Sequence, residues 1–111
     1  MKRNKDFRYV YRVGKSVGSR VIVLVYARNK ANNVRIGFSV SKKIGNSVMR
    51  NRIKRRLREA FSPLLPEIKV GHSLIFIARE PIKGEEFIQI QNTLRYLLRK
   101  ADLLLKEADG Q

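Results

Sequence analysis

The side chains with the clearest chemical purpose lie between residues 42 and 58, in the stretch SVSKKIGNSVMRNRIKRRLREAF of residues 39–61. Eight lysines and arginines fall in that interval, and no aspartate or glutamate does. Arginine binds a phosphate through two parallel hydrogen bonds, and lysine adds a compact positive charge. The density of cations therefore predicts the binding of a polyanion, with several phosphates spaced along one backbone.

Most of these cations are predicted to share one helix. Ser47 or Asn46 is a suitable N-cap, and Pro63 and Pro66 end the helix after about Phe61. At about 100° per residue, the apolar side chains form one stripe and the cations cover the remaining surface. The stripe consists of Met49, Ile53, Leu57, Ala60 and Phe61.

Such a helix is locally unfavourable, which favours a binding role. Arg52 and Arg56 are one of several like-charge i,i+4 pairs, each of which costs about 0.2–0.5 kcal/mol. Arg50 and Arg52 also lie near the positive end of the helix dipole, and only Glu59 offers local relief. A partner that supplies negative charge explains the pattern. A solvated basic face is an alternative, and so is an anionic membrane, although the core needs the apolar stripe.

Side chains for protein-borne catalysis are scarce in this sequence. The one histidine, His72, stands beside a predicted strand and has no partner nearby in sequence. No carboxylates cluster closely enough to hold the two metal ions that a metal-dependent nuclease uses. There is no cysteine, so disulfides and thiolate metal sites are excluded. We therefore expect no catalytic residue and no metal ligand in the protein itself.

The charge is concentrated in the first half of the chain. All 111 residues together carry a formal charge of +16, whereas residues 1–58 carry +17 and residues 59–111 carry −1. An uneven field of this strength attracts nucleic acid first, although a merely well-solvated surface is an alternative. The length predicts one domain over residues 1–111, and no long apolar run suggests a membrane span. We expect a soluble, cytoplasmic RNA-binding domain.

A helix is predicted at each end of the chain. Residues 5–13 form the first, which Asn4 caps and Gly14 closes. Residues 85–106 form the last, after a turn at Pro81. Its apolar stripe consists of Phe87, Ile90, Leu94, Leu97, Leu98, Ala101, Leu104 and Leu105.

Strands are predicted at residues 20–28, 34–41 and 72–79. A fourth, short strand at residues 15–19 is left undecided. Residues 29–33 read as a hairpin loop between the first two. Residues 34–41 alternate, which puts four apolar side chains on one face and small or polar ones on the other. That second face is either a groove lining or an ordinary solvent face, and it contains Arg35, Gly37, Ser39 and Ser41.

The predicted fold class is α+β, in the order α-β-β-(β)-α-β-α. Three helices pack on a small, mostly antiparallel sheet of three or four strands.

The stretch of residues 39–61 closely resembles the signature of the bacterial ribonuclease P protein component, including its Arg-Asn-Arg core at residues 50–52. The resemblance continues into KDFRYVYRVGKSV near the start and HSLIFIAR after the basic helix. It implies a left-handed βαβ crossover around the basic helix, opposite to the usual handedness. It also implies a protein that joins a catalytic RNA, which removes the 5′ leader of precursor tRNA using Mg²⁺ bound mainly by the RNA.

The resemblance assigns roles to two sets of residues. The partners that it implies are ribonuclease P RNA and precursor tRNA, with no membrane, no obligate protein partner and no organic cofactor. The residues implied to bind the catalytic RNA are Lys42, Lys43, Arg50, Asn51, Arg52, Lys54, Arg55 and Arg58. Those implied to bind the leader are Phe7, Tyr11, Arg35, Ser39 and Ser41.

Two other classes stay open at this point. A structural RNA-binding protein, such as a small basic ribosomal component, has the same composition but would need only one RNA ligand. A nuclease with its own active site is disfavoured by the missing carboxylates and histidines. Phe7 and Tyr11 also have a plain alternative role, since both fit core packing at i, i+4 spacing.

Overall fold

The computed structural model describes residues 4–105, which form three α-helices, four strands and two 3₁₀ helices. The first half comprises α1 (Asn4–Val13), β1 (Lys15–Gly18), β2 (Ile22–Arg28) and β3 (Val34–Ser39). The second half comprises α2 (Ser47–Phe61), a 3₁₀ helix (Ser62–Glu67), β4 (His72–Ala78), a 3₁₀ helix (Glu80–Gly84) and α3 (Phe87–Lys100).

The four strands form one mixed sheet in the order β1-β2-β4-β3. The pairs β1–β2 and β2–β4 are antiparallel, whereas β3 and β4 are parallel. The α+β class and the optional fourth strand are thus confirmed. A hairpin through residues 29–33 was wrong, because β4 lies between β2 and β3. The βαβ crossover is present, since α2 connects the parallel neighbours β3 and β4.

The central strand β4 is buried on both faces, as its apolar sequence predicts. On one face, Leu74 and Phe76 join the main core with the apolar sides of α2 and α3. On the other face, Ile75 joins a smaller cluster with Val25 of β2 and Val10 of α1. The sheet therefore separates α1 from α2 and α3.

The alternation predicted for β3 is confirmed by its pairing with β4. Phe38 is opposite Phe76, and their rings stack with centroids 5.9 Å apart in the main core. Gly37 and Ser39 are opposite Ile75 and Ile77, which lie on the α1 side. The small, polar face of β3 is therefore the face that α1 partly covers.

The last helix is shorter than the predicted span of residues 85–106. It ends at Lys100, and Asp102 adopts a positive φ of 59°. The N–H of Leu103 donates to the carbonyl of Leu98, and the N–H of Asp102 donates to that of Arg99, which is a Schellman ending. Leu104 is buried because it bridges to Ile68, not because it continues the helix. Residue 106 lies outside the described residues.

Candidate nucleic-acid interface

The helix α2 is fixed in place by its N-cap and its apolar stripe. The side chain of Asn46 accepts a hydrogen bond from the N–H of Met49 at 2.9 Å, which satisfies an otherwise free amide of the first turn. Of the predicted stripe, Ile53, Leu57 and two others are buried, and Met49 packs against the same core. The cations are consequently directed away from the sheet.

These cations have no acidic partners in the part of the chain that the structure describes. Arg52, Arg55 and Arg58 are exposed, and none of the α2 cations pairs with a carboxylate among residues 7–105. Glu59 makes no ion pair there either, so it does not neutralise any of the α2 cations directly. The result is a helix face whose positive charge is uncompensated within the protein.

The loop before α2 adds two more cations to this surface. Lys42 and Lys43 are both exposed, in a turn in the middle of the segment that connects β3 to α2. Arg50 is half-buried, and its Nε donates to the carbonyl of Gly45 at 3.2 Å, which ties the helix to that loop. The first turn of α2 also carries free backbone N–H groups, which favour an anion. Loop and helix therefore form one basic surface, made of residues 42–58.

Arg56 belongs to α2 but differs from its exposed neighbours. It is half-buried and lines a small pocket between α2 and the segment around Ile82 and Ile90. Its place on the side nearest α3 makes it less accessible than Arg55 or Arg58.

A second surface lies on the opposite side of the sheet, along α1. Phe7 packs against the small cluster around Val10, whereas Tyr11 keeps 46% of its surface exposed. The two rings lie 6.4 Å apart between centroids and are tilted by 31°. Phe7 thus has the core contact that its spacing allows, and Tyr11 remains free to contact a ligand.

The face of β3 on the α1 side of the sheet carries small and polar residues. Gly37 and Ser39 lie on the α1 side of β3, and Ser41 is exposed two residues after the strand ends. The structure therefore brings Phe7, Tyr11 and Ser39 to the same side of the sheet. We call this surface the leader groove, after the role that the family resemblance implies for this region, and it is made of Phe7, Tyr11, Gly37, Ser39 and Ser41.

Arg35 is placed differently from the rest of the predicted leader set. It lies on the same face of β3, but it is opposite Ser73 at the far end of the strand. Four residues of extended strand separate it from Ser39, which is about 13 Å. There it lines a separate pocket with Tyr9, a residue that the sequence analysis did not single out. The signal for Tyr9 was present, as an aromatic residue between cations and off the apolar face.

Comparison with known proteins decides the family. A model of the Ribonuclease P family matches residues 1–102. The chain is 44% identical over 104 residues to the ribonuclease P protein component of Clostridium botulinum, which covers 93% of this chain and 94% of the relative. This chain belongs to the ribonuclease P protein family.

Solved ribonuclease P proteins share the fold. The protein from Staphylococcus aureus superposes with a TM-score of 0.86 at 42% identity, covering 95% of this chain and 96% of that one. The protein from Thermotoga maritima superposes with a TM-score of 0.81 at 26% identity, covering 89% and 94%. The family resemblance stated from residues 39–61 is confirmed along most of the chain.

Membership implies a role in the maturation of the 5′ end of tRNA, as the protein component of a tRNA-processing ribonucleoprotein that contains ribonuclease P RNA. Within residues 4–105, no three His, Cys, Asp or Glu side chains lie close enough together to hold a metal ion. The same residues include no helix with both the length and the apolar character that crossing a membrane requires.

Proposed function

We propose that this ribonuclease P protein is a cofactor with two RNA ligands on opposite sides of its sheet. The basic surface of residues 42–58 binds the catalytic RNA, and the leader groove binds the 5′ leader of precursor tRNA. The observation that carries the proposal is the uncompensated charge of α2, on a helix whose apolar stripe is already used by the core. Such a face gains stability only from an external polyanion.

The basic surface would bind RNA through its backbone phosphates. The exposed guanidinium groups of Arg52, Arg55 and Arg58 each offer a planar fork to phosphate oxygens. The other proposed contacts are Lys42, Lys43, Arg50, Asn51 and Lys54. If about six phosphates are neutralised, the logarithm of affinity falls against the logarithm of salt concentration with a slope of about −4 to −5.

The leader groove would hold single-stranded RNA with little sequence preference. Tyr11 presents an exposed ring beside Phe7, and aromatic rings stack on any base. Ser39 and Ser41 supply hydroxyl groups for sugar or phosphate. Gly37 has no side chain, so it leaves room for RNA above this part of the strand. This combination suits a leader whose sequence varies from one precursor to another.

The protein would orient substrate and RNA rather than cleave the bond. We propose that the chemistry belongs to the RNA subunit and the Mg²⁺ that it holds, as the family resemblance implies. The protein would act in the cytoplasm on newly made precursor tRNA and would need no second protein. Its contribution is to keep the leader and the catalytic RNA in one assembly.

Cleavage of a 5′-extended precursor tRNA at low Mg²⁺ concentration tests this proposal. Ribonuclease P RNA is assayed alone, with the native protein, and with a variant that carries Arg52→Ala and Arg55→Ala. The matched control carries Arg20→Ala and Lys100→Ala, which remove two exposed cations away from α2. We expect rescue by the native protein and the control, and a clear loss with the α2 variant.

Two outcomes would reject the proposal. If the protein binds the RNA but never changes cleavage, it is a structural RNA-binding protein. If the protein alone cleaves the precursor, its own residues carry the chemistry.

A further inference from the structure

A pocket of about 280 Å³ opens under the flank of α1 that faces away from the leader groove. It is lined by Tyr9, Asn29, Lys30, Arg35 and Ser73. Tyr9 lies about 200° around the helix from Phe7, so the two rings point to different sides of α1. The pocket is therefore distinct from the leader groove, although both share α1 as a wall.

The inner wall of the pocket contains an unused hydrogen-bond acceptor. Ser73 is only 5% exposed, and its Oγ accepts from Asn29 Nδ2 at 3.0 Å. The other end of that amide, Asn29 Oδ1, is buried and has no hydrogen-bond partner among the described residues. A buried acceptor without a donor is costly, because it has lost its water and gained nothing in return. The Asn29–Ser73 pair therefore forms the base of the pocket but leaves this oxygen out of reach of a ligand.

This wall is held rigid before any ligand arrives. The backbone N–H of Asn29 donates to the carbonyl of Gly71 at 2.8 Å, and the N–H of Gly71 donates to the carbonyl of Asn33 at 2.8 Å. Gly71 has a positive φ of 87°, a conformation that glycine adopts without strain. The loop of residues 29–33 is thus clamped to the start of β4. Preorganisation of this kind lowers the entropy cost of binding.

The outer wall combines an aromatic ring with positive charge. Tyr9 keeps 45% of its surface exposed although it lies on a packed helix. Lys30 and Arg35 are exposed, and neither pairs with a carboxylate among residues 7–105. No carboxylate lines the pocket, so nothing there opposes an anion.

We propose that this pocket binds one nucleotide of single-stranded RNA, separately from the leader groove. The base stacks on Tyr9, while Lys30 and Arg35 contact the flanking phosphates. The volume suits a single base and excludes a duplex. The inference deepens the proposed function, since it adds a second single-strand contact on the other flank of α1.

Site-resolved binding of a short oligoadenylate to the free protein tests the inference. Amide NMR signals of Lys30, Arg35 and Ser73 report the pocket, and those of Gly37 and Ser39 report the leader groove. Loss of one base stack in Tyr9→Ala should weaken binding at the pocket by about fivefold to a hundredfold. The matched control Tyr96→Ala removes a tyrosine of equal exposure (46%) from α3 and should leave it unchanged.

Three results would overturn the inference. The first is that the pocket signals do not shift with oligoadenylate. The second is that Tyr9→Ala binds like the native protein, and the third is that Tyr11→Ala weakens binding at the pocket as much as Tyr9→Ala does. The last result would mean that both sets of signals report one groove. None of these readouts uses cleavage. A failure here therefore does not affect the cofactor proposal, and a failure of cleavage rescue does not affect the interpretation of the binding data.

A second arm identifies the strand that fills the pocket. Affinity of the assembled ribonucleoprotein is compared for precursor tRNA with a long leader and for tRNA with its leader removed. If the leader itself reaches the pocket, Tyr9→Ala weakens binding of the long-leader substrate only. If Tyr9→Ala weakens assembly with the ribonuclease P RNA instead, a single-stranded segment of that RNA is the occupant.

Discussion

Replacement of Gly14 by alanine should loosen the contact between α1 and the sheet. A Cβ atom at this position would lie 2.3 Å from the carbonyl oxygen of Val10 and 2.8 Å from that of Tyr26. It would also lie 3.1 Å from Val25 Cγ1. Two of the three obstacles are backbone atoms, which no side-chain rotation can move. Gly14 is therefore required by close approach, and not by a positive φ.

The cost follows from what α1 buries. If α1 shifts but stays docked, overpacking of this kind costs about 1–3 kcal/mol. If α1 detaches, the loss is the burial of Val10 and Phe7, at about 1.5–3 kcal/mol each, or about 3–6 kcal/mol together. Val10 is 1% exposed, and Phe7 is only partly buried, so the lower half of that range applies. We expect the free energy of unfolding to fall by about 1–4 kcal/mol.

Urea unfolding of Gly14→Ala measures this loss, with Gly84→Ala as the matched control. A Cβ at Gly84 meets nothing within 4 Å, so the control should unfold like the native protein. Affinity for precursor tRNA should fall in Gly14→Ala, because α1 carries Tyr11, while affinity for the RNA subunit should hold. Native stability in Gly14→Ala would refute the close-approach argument. Equal loss of both affinities would refute the separation of the two surfaces.

Three further predictions concern α2. Leu57→Ala empties a fully buried site and should cost about 2–5 kcal/mol in urea unfolding, and a loss below 1 kcal/mol would contradict the assigned core. Asn46→Ala removes the cap on Met49 and should cost about 0.5–2 kcal/mol, whereas Asn46→Asp should keep most of it. The combined Arg52→Ala and Arg55→Ala variant should reduce the salt slope of RNA binding by about 2 in fluorescence anisotropy, and an unchanged slope would exclude both from phosphate contact.

Local signals in the sequence were sufficient for most elements. The helix α2 was predictable because Asn46 caps it and its apolar residues repeat at helical spacing, and both features were confirmed. The alternation of β3 was predictable for the same reason, since its pattern of period two survives in the pairing with β4. The basic surface could also be located from the sequence, because the cations of α2 lie off its apolar face, whereas the exposure of Tyr11 could not, because Tyr11 shares a face with Phe7 and Val10.

What the sequence could not predict depends on distant partners. The loop of residues 29–33 has hairpin composition, but β4 pairs with β2 and takes the place that β3 would have had. Leu104 continues the helical spacing of α3, yet the positive φ of Asp102 and a bridge to Ile68 remove it from the helix. The predicted face of Arg35 was correct, but its distance from Ser39 and its pocket with Tyr9 depend on packing between distant segments that no local pattern shows.

The position of β4 also constrains how the chain reaches its final form. The strand β3 pairs only with β4, and in the chain the whole of α2 comes between them. During synthesis, β3 and the basic helix are therefore made before the strand that anchors them. Non-local pairing of this kind is slow, because the chain loses the entropy of closing a long loop before the strand contacts can offset that loss. The most strongly charged part of the protein is consequently complete before the strand that holds it in the sheet.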